Sequence, residues 1–436
     1  MESIIQDLTR NKKNYGEKIS KLIDDLFPIC RSITGNGVRK TLSIIKEIIP
    51  IEMHEVATGT EVFDWNIPKE WNIQDAYVID PEGNKIIDFT KHNLHVLNYS
   101  IPVNKSVSLE ELKEHLFTLP EQPEVIPYRT SYFKETWGFC IEYAKYKNLK
   151  PGNYQVYIDS TLEKGSLTYG EYLIKGETEE EVLISTHICH PSMCNDNLSG
   201  IAVACSLAWH LSGINHWYSY RFLFVPGTIG SITWLSQSEG KIHHIKHGLV
   251  ASLLGDKAGF TYKKSRRGNA DIDRAAAHIL NQLDGDHRVI DFFPYGYDER
   301  QYCSPGFNLP VGALSRSLFA SFPEYHTSAD NKQFIHVTQL IDSIIAFLEI
   351  FNVIENNKKY LNTNPKCEPQ LGRRGLYDKI GGTNESKALQ MAALWVLNFS
   401  DGMHDLLDIA ERSGMHFETI LKAANNLFDC HLLKEI

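Results

Sequence analysis

The sequence lacks the features that mark several classes of protein. Its 436 residues contain no CxxC pair, no low-complexity tract and no apolar run of the ~18 residues that a membrane-spanning helix needs. Residues 1–13 are polar and mixed in charge, which is not the pattern of a secretory signal. Basic residues are in the minority, with 44 Lys and Arg against 54 Asp and Glu, and an acidic surface disfavours broad binding to nucleic acid or anionic membranes. We therefore expect no membrane partner and no nucleic-acid partner.

The composition is that of an ordinary globular protein. Apolar residues make up 42% and charged residues 22% of the chain. Its eight cysteines are scattered, as the reduced thiols of cytoplasmic proteins are. A chain of this length is expected to form more than one domain. The sequence thus predicts a cytoplasmic protein of several domains, and assembly into a homo-oligomer is compatible with it.

Hydrophobic periodicity divides most of the chain into three regions. Helical spacing recurs over 17–50. Short strands follow from about 55 to 130, interrupted by one helix at 108–119. From 150 onwards strands and helices alternate, beginning with a strand at 154–158, which is the pattern of an α/β sheet with helices on both faces. Sites in such sheets gather at the carboxyl ends of the strands.

The C-terminal region has the spacing of a helix-turn-helix followed by a strand. A polar stretch after Asn356 is typical of a linker. Residues 366–436 then hold eight Lys or Arg against ten Asp or Glu, and the presumed recognition helix at 417–427 offers only Lys422 as a base. Because duplex-binding domains concentrate positive charge, this balance favours a packing or protein-contact module over a DNA-binding one.

The densest group of chemically capable side chains lies between residues 185 and 200. His187 directly follows a predicted strand, His190 comes three residues later, and Asp196 precedes a predicted helix. Imidazole suits zinc and a carboxylate can bridge ions, so His187 and Asp196 are candidate ligands. The alternative is a helix-capping Asp beside a buried polar His. His190 is open to three interpretations: a ligand, a group that supports a ligand, or a capping residue.

Two further polar clusters occur later in the chain. The first is a loop before a long helix and contains Glu324, Tyr325 and His326. The second contains Asp298 and Glu299, just before a Pro-Gly turn. Taken alone, His326 is interpreted as an ordinary loop residue. Asp298 and Glu299 could be part of a solvent-exposed face.

Taken together, these segments resemble the M28-type zinc aminopeptidase family. Within it the resemblance is closest to a bacterial subgroup of aminopeptidase-like proteins associated with polysaccharide biosynthesis. The motifs that carry it spread over most of the chain: FDWNIPKEWNI at 63–73, PYRTSYFKETWGFC at 127–140, HICHP at 187–191, NDNLSG at 195–200, PGTIGSITWL at 226–235, YHTSADN at 325–331 and LWVLNFSDG at 394–402.

The resemblance implies a fold and a domain order. The expected fold class is α/β, a doubly wound zinc-peptidase-like sheet with a small β-rich inserted domain and a C-terminal winged helix-turn-helix. The catalytic domain would be discontinuous, over 1–54 and 131–360. The β-rich insert would occupy 55–130, and the winged helix 365–436.

The resemblance also implies a zinc cofactor and its ligands. His187, Asp196 and His326 match family ligands, and Asp256 matches a fourth with looser spacing. The chain departs from the family where Cys189 replaces an acid that supports a ligand. It departs again at 226–230, where the family has a Glu-Glu pair that supplies the general base and one ligand.

A hydrolase therefore needs another acid as its base. Glu299 is the first choice and Glu324 the second, because both are near the expected site; Glu299 could instead form a structural salt bridge with Arg300 or Arg316. The resulting prediction is a zinc-dependent aminopeptidase-like hydrolase of an amide bond, acting on a peptide or an acylated sugar. The alternatives are a catalytically impaired relative that binds a small ligand, and a regulator that senses a metabolite for its winged helix.

Overall fold

The chain folds into two compact units. The computed structural model describes residues 1–283, 285–376 and 387–436, and the backbone alone of 384–386. The larger unit comprises 2–270 and 285–347, and the smaller one comprises Met1, 271–284 and 348–436.

Helices occur in both units. They are α1 (Glu2–Arg10), α2 (Lys12–Leu26), α3 (Asn36–Lys46), α4 (Leu109–Glu114), α5 (Tyr143–Tyr146), α6 (Ser199–Leu211), α7 (Ile229–Ser238), α8 (Asp271–Leu280), α9 (Glu299–Tyr302), α10 (Val337–Asn356), α11 (Asn384–Phe399), α12 (Leu406–Ser413) and α13 (Phe417–Asp429). Short 3-10 turns lie at Asn93–His95, Ile242–His244 and Leu371–Arg374, and a wider turn at Cys194–Leu198 leads into α6.

The strands are β1 (Glu52–Ala57), β2 (Glu61–Val62), β3 (Trp65–Asn66), β4 (Glu70–Ile79), β5 (Lys85–Asp88), β6 (Val103–Ser108), β7 (Leu116–Phe117), β8 (Phe139–Cys140), β9 (Asn153–Glu163), β10 (Ser166–Ile174), β11 (Glu181–His187), β12 (Ser219–Val225), β13 (Ile245–Ala251), β14 (Phe260–Lys263), β15 (His287–Ile290), β16 (Val311–Ser315), β17 (Lys359–Asn362), β18 (Asp401–Asp405) and β19 (Leu433–Glu435).

An eight-stranded mixed sheet forms the centre of the larger unit. Its order is β1-β10-β12-β11-β13-β16-β14-β15. The central strands β12, β11, β13 and β16 run parallel, and antiparallel strands extend the sheet on both sides. Every residue of β11 and β12 is buried, which is expected of parallel strands covered on both faces. The predicted α/β fold class is confirmed.

A smaller sheet corrects the expected strand assignment. Its order is β5-β4-β9-β6, so β9 belongs here and not to the α/β sheet where the strand at 154–158 was expected. The reason is visible in its alternation: Tyr154, Val156 and Ile158 are buried while their neighbours are more exposed, the pattern of a half-buried antiparallel strand. The β-rich module therefore takes a strand from beyond residue 130.

Two other local expectations were wrong. The helix expected at 108–119 ends at Glu114, where α4 gives way to β7. Ser108 caps α4, its hydroxyl accepting the Glu111 N–H at 3.2 Å. Part of the polar stretch expected to be a linker forms β17, because it pairs with both β18 and β19.

The smaller unit contains the winged helix. Helices α11, α12 and α13 pack beside a three-stranded sheet of order β18-β17-β19. Asp405 begins α12 with a capping box completed by Asp408. Arg274 on α8 donates to Asp408 at 2.8 Å and to Glu411 at 2.7 Å. These ion pairs join α8 to the winged helix.

The long helix predicted after the loop that contains His326 is α10 (Val337–Asn356). By length and composition alone, α10 could cross a membrane. In the structure 61% of its apolar window is buried inside the protein, and the core helix of a soluble protein passes the same test. The helix is therefore weak evidence for a membrane span. The eight cysteines all lie in the described part of the chain, and none of them forms a disulfide bond.

Candidate metal centre

The candidate centre lies at the carboxyl edge of the parallel strands. His187 is the last residue of β11, which runs between β12 and β13. The chain then crosses to the turn Cys194–Leu198, and α6 begins at Ser199. Strand-end and helix-start side chains are thus brought to one edge of the sheet, where α/β proteins place their sites.

Asp196 is at the middle of the cluster and is fully buried. One carboxylate oxygen, Oδ1, lies 2.8 Å from His187 Nε2, and the other, Oδ2, lies 3.0 Å from His326 Nε2. Although burial acts to raise the pKa of Asp196, its hydrogen bond with His187 acts to hold that pKa well below its usual range. The structure therefore brings His187, Asp196 and His326 together around an ionised carboxylate.

The Asp196 loop is held by a second buried carboxyl group. Asp330 accepts the backbone N–H groups of Cys194 at 3.1 Å, Asn195 at 2.6 Å and Asp196 at 2.8 Å. Because Asp330 comes four residues after His326, one loop both supplies a histidine and fixes the carboxylate opposite it. Sequence reasoning did not assign Asp330 this role.

His190 joins the same cluster. A ring nitrogen of His190 lies within 4.8 Å of the ligand atoms of both His187 and Asp196. Burial lowers the pKa of His190 well below its usual value, so the ring is neutral and keeps a lone pair for a metal. The Arg31 guanidinium donates to the His190 carbonyl at 2.9 Å and so anchors this residue. The HxxH spacing was the available signal, but it left three interpretations open.

The geometry of two atoms tests whether a metal fits. His326 Nε2 and Asp196 Oδ2 are 3.0 Å apart, yet in the described part of the chain neither makes a well-angled hydrogen bond. Leaving buried polar atoms unsatisfied is costly, and one cation between them would satisfy both. Three imidazoles and a carboxylate are a donor set that zinc uses. His187, His190 and Asp196, whose ligand atoms all lie within 4.8 Å of one another, therefore fit one zinc ion, and His326 contacts the second oxygen of the same carboxylate.

The surroundings of His187 differ from those of most metal-bound histidines. A metal-bound imidazole commonly donates its second N–H to an acceptor, but His187 Nδ1 lies 3.3 Å from the amide nitrogen of Asn197. That amide nitrogen also donates to Thr186 Oγ1 at 2.9 Å, and this hydrogen bond fixes the orientation of the Asn197 amide. Cys189 occupies the position where the resemblance to M28-type aminopeptidases would place an acid. Its sulfur contacts His190 and Tyr297. We expect this arrangement to weaken zinc affinity relative to a carboxylate-supported site.

Asp256 is not brought to the cluster. Its carboxylate accepts the Asn195 amide at 2.7 Å and the backbone N–H of Ala258 at 2.8 Å. No hydrogen bond or ion pair joins it to His187, Asp196 or His326 among the described residues. These contacts place the Asp256 carboxylate against the loop that carries Asp196, and its role as a metal ligand stays a prediction that they disfavour.

The expected general base is also engaged elsewhere. Glu299 is fully buried and forms an ion pair with Lys263, whose side chain is only 4% exposed. The predicted alternative, a structural salt bridge, therefore describes it, although the partner is neither Arg300 nor Arg316. The Arg316 guanidinium is occupied by the carbonyl oxygens of Ala258 and Gln339. A catalytic role for Glu299 stays a prediction that this pairing disfavours.

Two other acids are near the site. Burial raises the pKa of Asp298 to about 6, with one oxygen bound by the Ser231 hydroxyl at 2.7 Å. Its other oxygen has no hydrogen-bond partner in the described structure. Glu324 is half-buried, and within the described ranges its carboxylate enters no ion pair or hydrogen bond. Of the two predicted bases, Glu324 is the one not already engaged.

Tyr297 fills the volume that a side chain at position 227 would need. A Cβ added to Gly227 would lie 1.9 Å from Tyr297 Cε1. The ring centroid of Tyr297 is 4.0 Å from that of His187, and its hydroxyl donates to the Gly227 carbonyl at 3.2 Å. An aromatic ring thus occupies the space where the resemblance would place an acid.

A cavity of about 270 Å³ opens above the cluster. His190 and His326 line it, together with Tyr128, Trp65 and Phe133. Of the residues that the structure describes, no Asp, Glu, Lys or Arg lines it. A larger cleft of about 520 Å³ lies in the β-rich module and contains no residue of the cluster, so its size does not make it the candidate centre.

Comparison with known proteins identifies the family. The profile described as a domain of unknown function, DUF4910, matches residues 20–357. The chain belongs to the DUF4910 family. A winged helix-turn-helix profile matches residues 358–435, in agreement with the structure of the smaller unit.

Close relatives of this DUF4910 protein come from Clostridium acetobutylicum. One, provisionally described as a polysaccharide biosynthesis protein with an aminopeptidase-like domain, is 54% identical over 430 residues, covering 99% of both chains. The crystal structure of a provisionally named peptidase from that organism superposes with a TM-score of 0.93 at 52% identity, over 99% of this chain and 100% of the other.

More distant structures share the fold. A zinc aminopeptidase from Bacillus subtilis matches with a TM-score of 0.58 at 13% identity, over 79% of this chain and 94% of its own. An M28 peptidase precursor from Shewanella amazonensis gives 0.57 at 13% identity, over 81% and 96%. The predicted resemblance to M28 zinc aminopeptidases is therefore confirmed at the level of the fold.

Proposed function

We propose that this protein is a zinc-dependent hydrolase of an amide bond in an uncharged substrate, an acylated amino sugar in preference to a free peptide. The observation that carries the choice of substrate is the absence of any carboxylate among the described residues that line the cavity. A substrate with a free α-ammonium group would enter without a counter-charge, and an unpaired buried charge is strongly unfavourable. An N-acyl sugar carries no such charge.

The chemistry assigned to the chain follows from the cluster. His187, His190, Asp196 and His326 would hold the ion, and zinc supplies a Lewis acid and an activated water when bound. Tyr128 lines the cavity, and its hydroxyl lies 2.9 Å from that of Tyr132. These hydroxyls can donate to a substrate oxygen. Proton acceptance would fall to Glu324, the predicted acid that is not already paired; it comes two residues before His326, does not line the cavity, and would have to turn toward the histidines to act as the base.

The name of the Clostridium relative supports a role in polysaccharide biosynthesis. A cytoplasmic location, with no membrane or nucleic-acid partner, is part of the same proposal. The exposed charged positions of α13 are Glu418, Lys422 and Asp429, and a recognition helix with one exposed base and two exposed acids is poorly suited to a phosphate backbone. Self-association is compatible with the proposed function, which does not depend on it.

The experiment is an assay of amine release by the zinc-loaded protein. N-acetylglucosamine disaccharide is compared with leucine amide, the standard aminopeptidase type of substrate. We expect slow release from the sugar and weak or no release from leucine amide. Glu324→Gln should reduce the rate by about 10²–10⁴-fold without reducing bound zinc, whereas Asp196→Ala should lose both. Brisk turnover of leucine amide would overturn the choice of substrate.

A binding protein without catalytic activity is the second candidate. Tyr297 packed against Gly227 favours it, because no acid can extend from that loop. The two functions separate in one experiment: a binding protein retains the sugar and releases no amine, even with zinc bound.

A further inference from the structure

Two aromatic side chains stand at the mouth of the cavity above the cluster. Trp65 is 45% exposed and Phe133 is 57% exposed. Both line the cavity that also contains His190 and His326, and the centroids of their rings are 5.5 Å apart. Exposed apolar surface continuous with a cavity is typical of a ligand-binding groove.

Folding alone does not account for these rings. Phe133 has a φ of 64°, a left-handed conformation that is unfavourable for a bulky side chain. Its ring is more than half exposed, so burial offsets little of that strain. Residues held in strained backbone conformations cluster at active sites and ligand clamps, so the conformation of Phe133 points to a ligand beside this ring.

The hairpin that carries Trp65 is anchored from its tip. β2 and β3 pair through Val62 and Trp65, which leaves Phe63 in the turn with a φ of 57°. Gly or Asn is the usual residue at such a position. The Phe63 ring instead packs edge-on against Phe307, with centroids 5.7 Å apart. This contact fixes the hairpin, and with it the direction of Trp65.

The other residues that line the cavity indicate which class of ligand the two rings would contact. Tyr128, Thr130 and Tyr132 line the same cavity, so hydroxyl groups lie beside apolar rings. No charged side chain lines it within the described residues. A ligand that matches this wall is uncharged, with one flat apolar face and hydroxyl groups along its edge. Pyranose rings have that form, because their axial C–H groups make an apolar face.

We propose that Trp65 and Phe133 form a stacking platform for a second sugar ring, so that the substrate is a neutral oligosaccharide of N-acylated amino sugars. This inference rests on the proposed function, since it places the sugar of that substrate. The platform lies at the mouth, while the amide to be cleaved would lie inside by the histidines. A single sugar would reach only one of the two positions.

Binding and amine release are measured separately to test it. Titration calorimetry gives the affinity of the zinc-loaded full chain for di-N-acetylchitobiose, N-acetylglucosamine and N-acetyl-leucine amide. We expect the disaccharide to bind tightest. Trp65→Ala should weaken that binding at least about tenfold, as truncation of an aromatic anchor does. Phe133→Ala should weaken it too, and Trp65→Phe should retain most of it.

Trp217 provides the matched control. It is 52% exposed and does not line the cavity, so Trp217→Ala should bind the disaccharide as the native protein does. Unchanged circular dichroism shows that each variant is folded. Equal affinity for the disaccharide and N-acetyl-leucine amide, or an unaffected Trp65→Ala, overturns the proposal. So does a Trp65-dependent fluorescence change with phosphatidylcholine vesicles but not with sugar, which would make this surface a membrane contact.

The platform and the hydrolase can fail independently. Trp65-dependent binding without amine release leaves the platform standing and refutes the hydrolase. Amine release from a sugar that is indifferent to Trp65 leaves the hydrolase standing and refutes the platform.

Discussion

Placing an acid at position 227 should destabilise the protein and should not restore peptidase activity. Any side chain at Gly227 begins with a Cβ only 1.9 Å from Tyr297 Cε1, and real Cβ contacts are essentially never below 3.0 Å. Tyr297 cannot easily move aside. Its ring stacks on Phe319 at 5.4 Å and lies 4.0 Å from His187.

The size of the effect follows from two contributions. Forcing extra atoms into a packed interior costs about 1–3 kcal/mol. A Glu side chain adds an unpaired carboxylate at a half-buried position whose cavity has no described Lys or Arg in its lining, which adds to that cost. We expect Gly227→Ala to lose about 1–3 kcal/mol of unfolding free energy and Gly227→Glu to lose more than about 3 kcal/mol. Equilibrium unfolding in urea, followed by circular dichroism, measures both.

The control is the double variant Gly227→Ala with Tyr297→Ala. If Tyr297 is the obstacle, removing its ring relieves the clash, and the double variant is more stable than the sum of the single changes predicts. Gly227→Ala alone is the sharpest test, because it adds only the Cβ. A variant within about 0.5 kcal/mol of the native protein would refute the reasoning, since that is the size of an ordinary neutral substitution.

Two further predictions concern buried carboxyl groups. Glu299→Gln should lose about 3–5 kcal/mol of unfolding free energy because it leaves Lys263 charged and unpaired, whereas Glu299→Leu combined with Lys263→Met should recover most of that loss; equal losses in the two variants would contradict this. The pKa of Asp298 is raised from 3.8 to about 6, so the native protein should lose stability as pH rises through that interval. The unfolding free energy of Asp298→Asn relative to the native protein should therefore rise by up to about 3 kcal/mol between pH 4 and 6, and it should not rise further above pH 6. If urea unfolding gives the same difference at every pH, the prediction is contradicted.

The sequence predicts part of the fold because local periodicity is informative. β11 is a short apolar run ended by His187, and the turn before α6 contains Asp196, so both positions are visible locally. β9 was misassigned because its partners β4 and β6 are distant in sequence. The alternation of Tyr154, Val156 and Ile158 contains the signal for a half-buried strand, but it does not say which sheet the strand joins.

The candidate site is less predictable than the fold. His190 was visible as half of an HxxH pair, yet its nearness to Asp196 depends on how the intervening loop folds. Glu299 begins α9, and its partner Lys263 is the last residue of β14 and belongs to no motif. Tyr297 directly precedes Asp298 and Glu299 in the sequence, and nothing local connects it with Gly227. Such pairings are tertiary, so a single sequence does not specify them.

Metal content is the measurement that tests the central claim most directly. Purified native protein, dialysed with zinc and analysed by plasma mass spectrometry, should contain about one zinc ion per chain, with an anomalous peak at the zinc edge among His187, His190, Asp196 and His326. Asp196→Ala should lose the ion, whereas Asp256→Asn should keep it because Asp256 binds Asn195 and backbone N–H groups instead. Native protein without zinc, or Asp196→Ala with its full complement, would contradict the account.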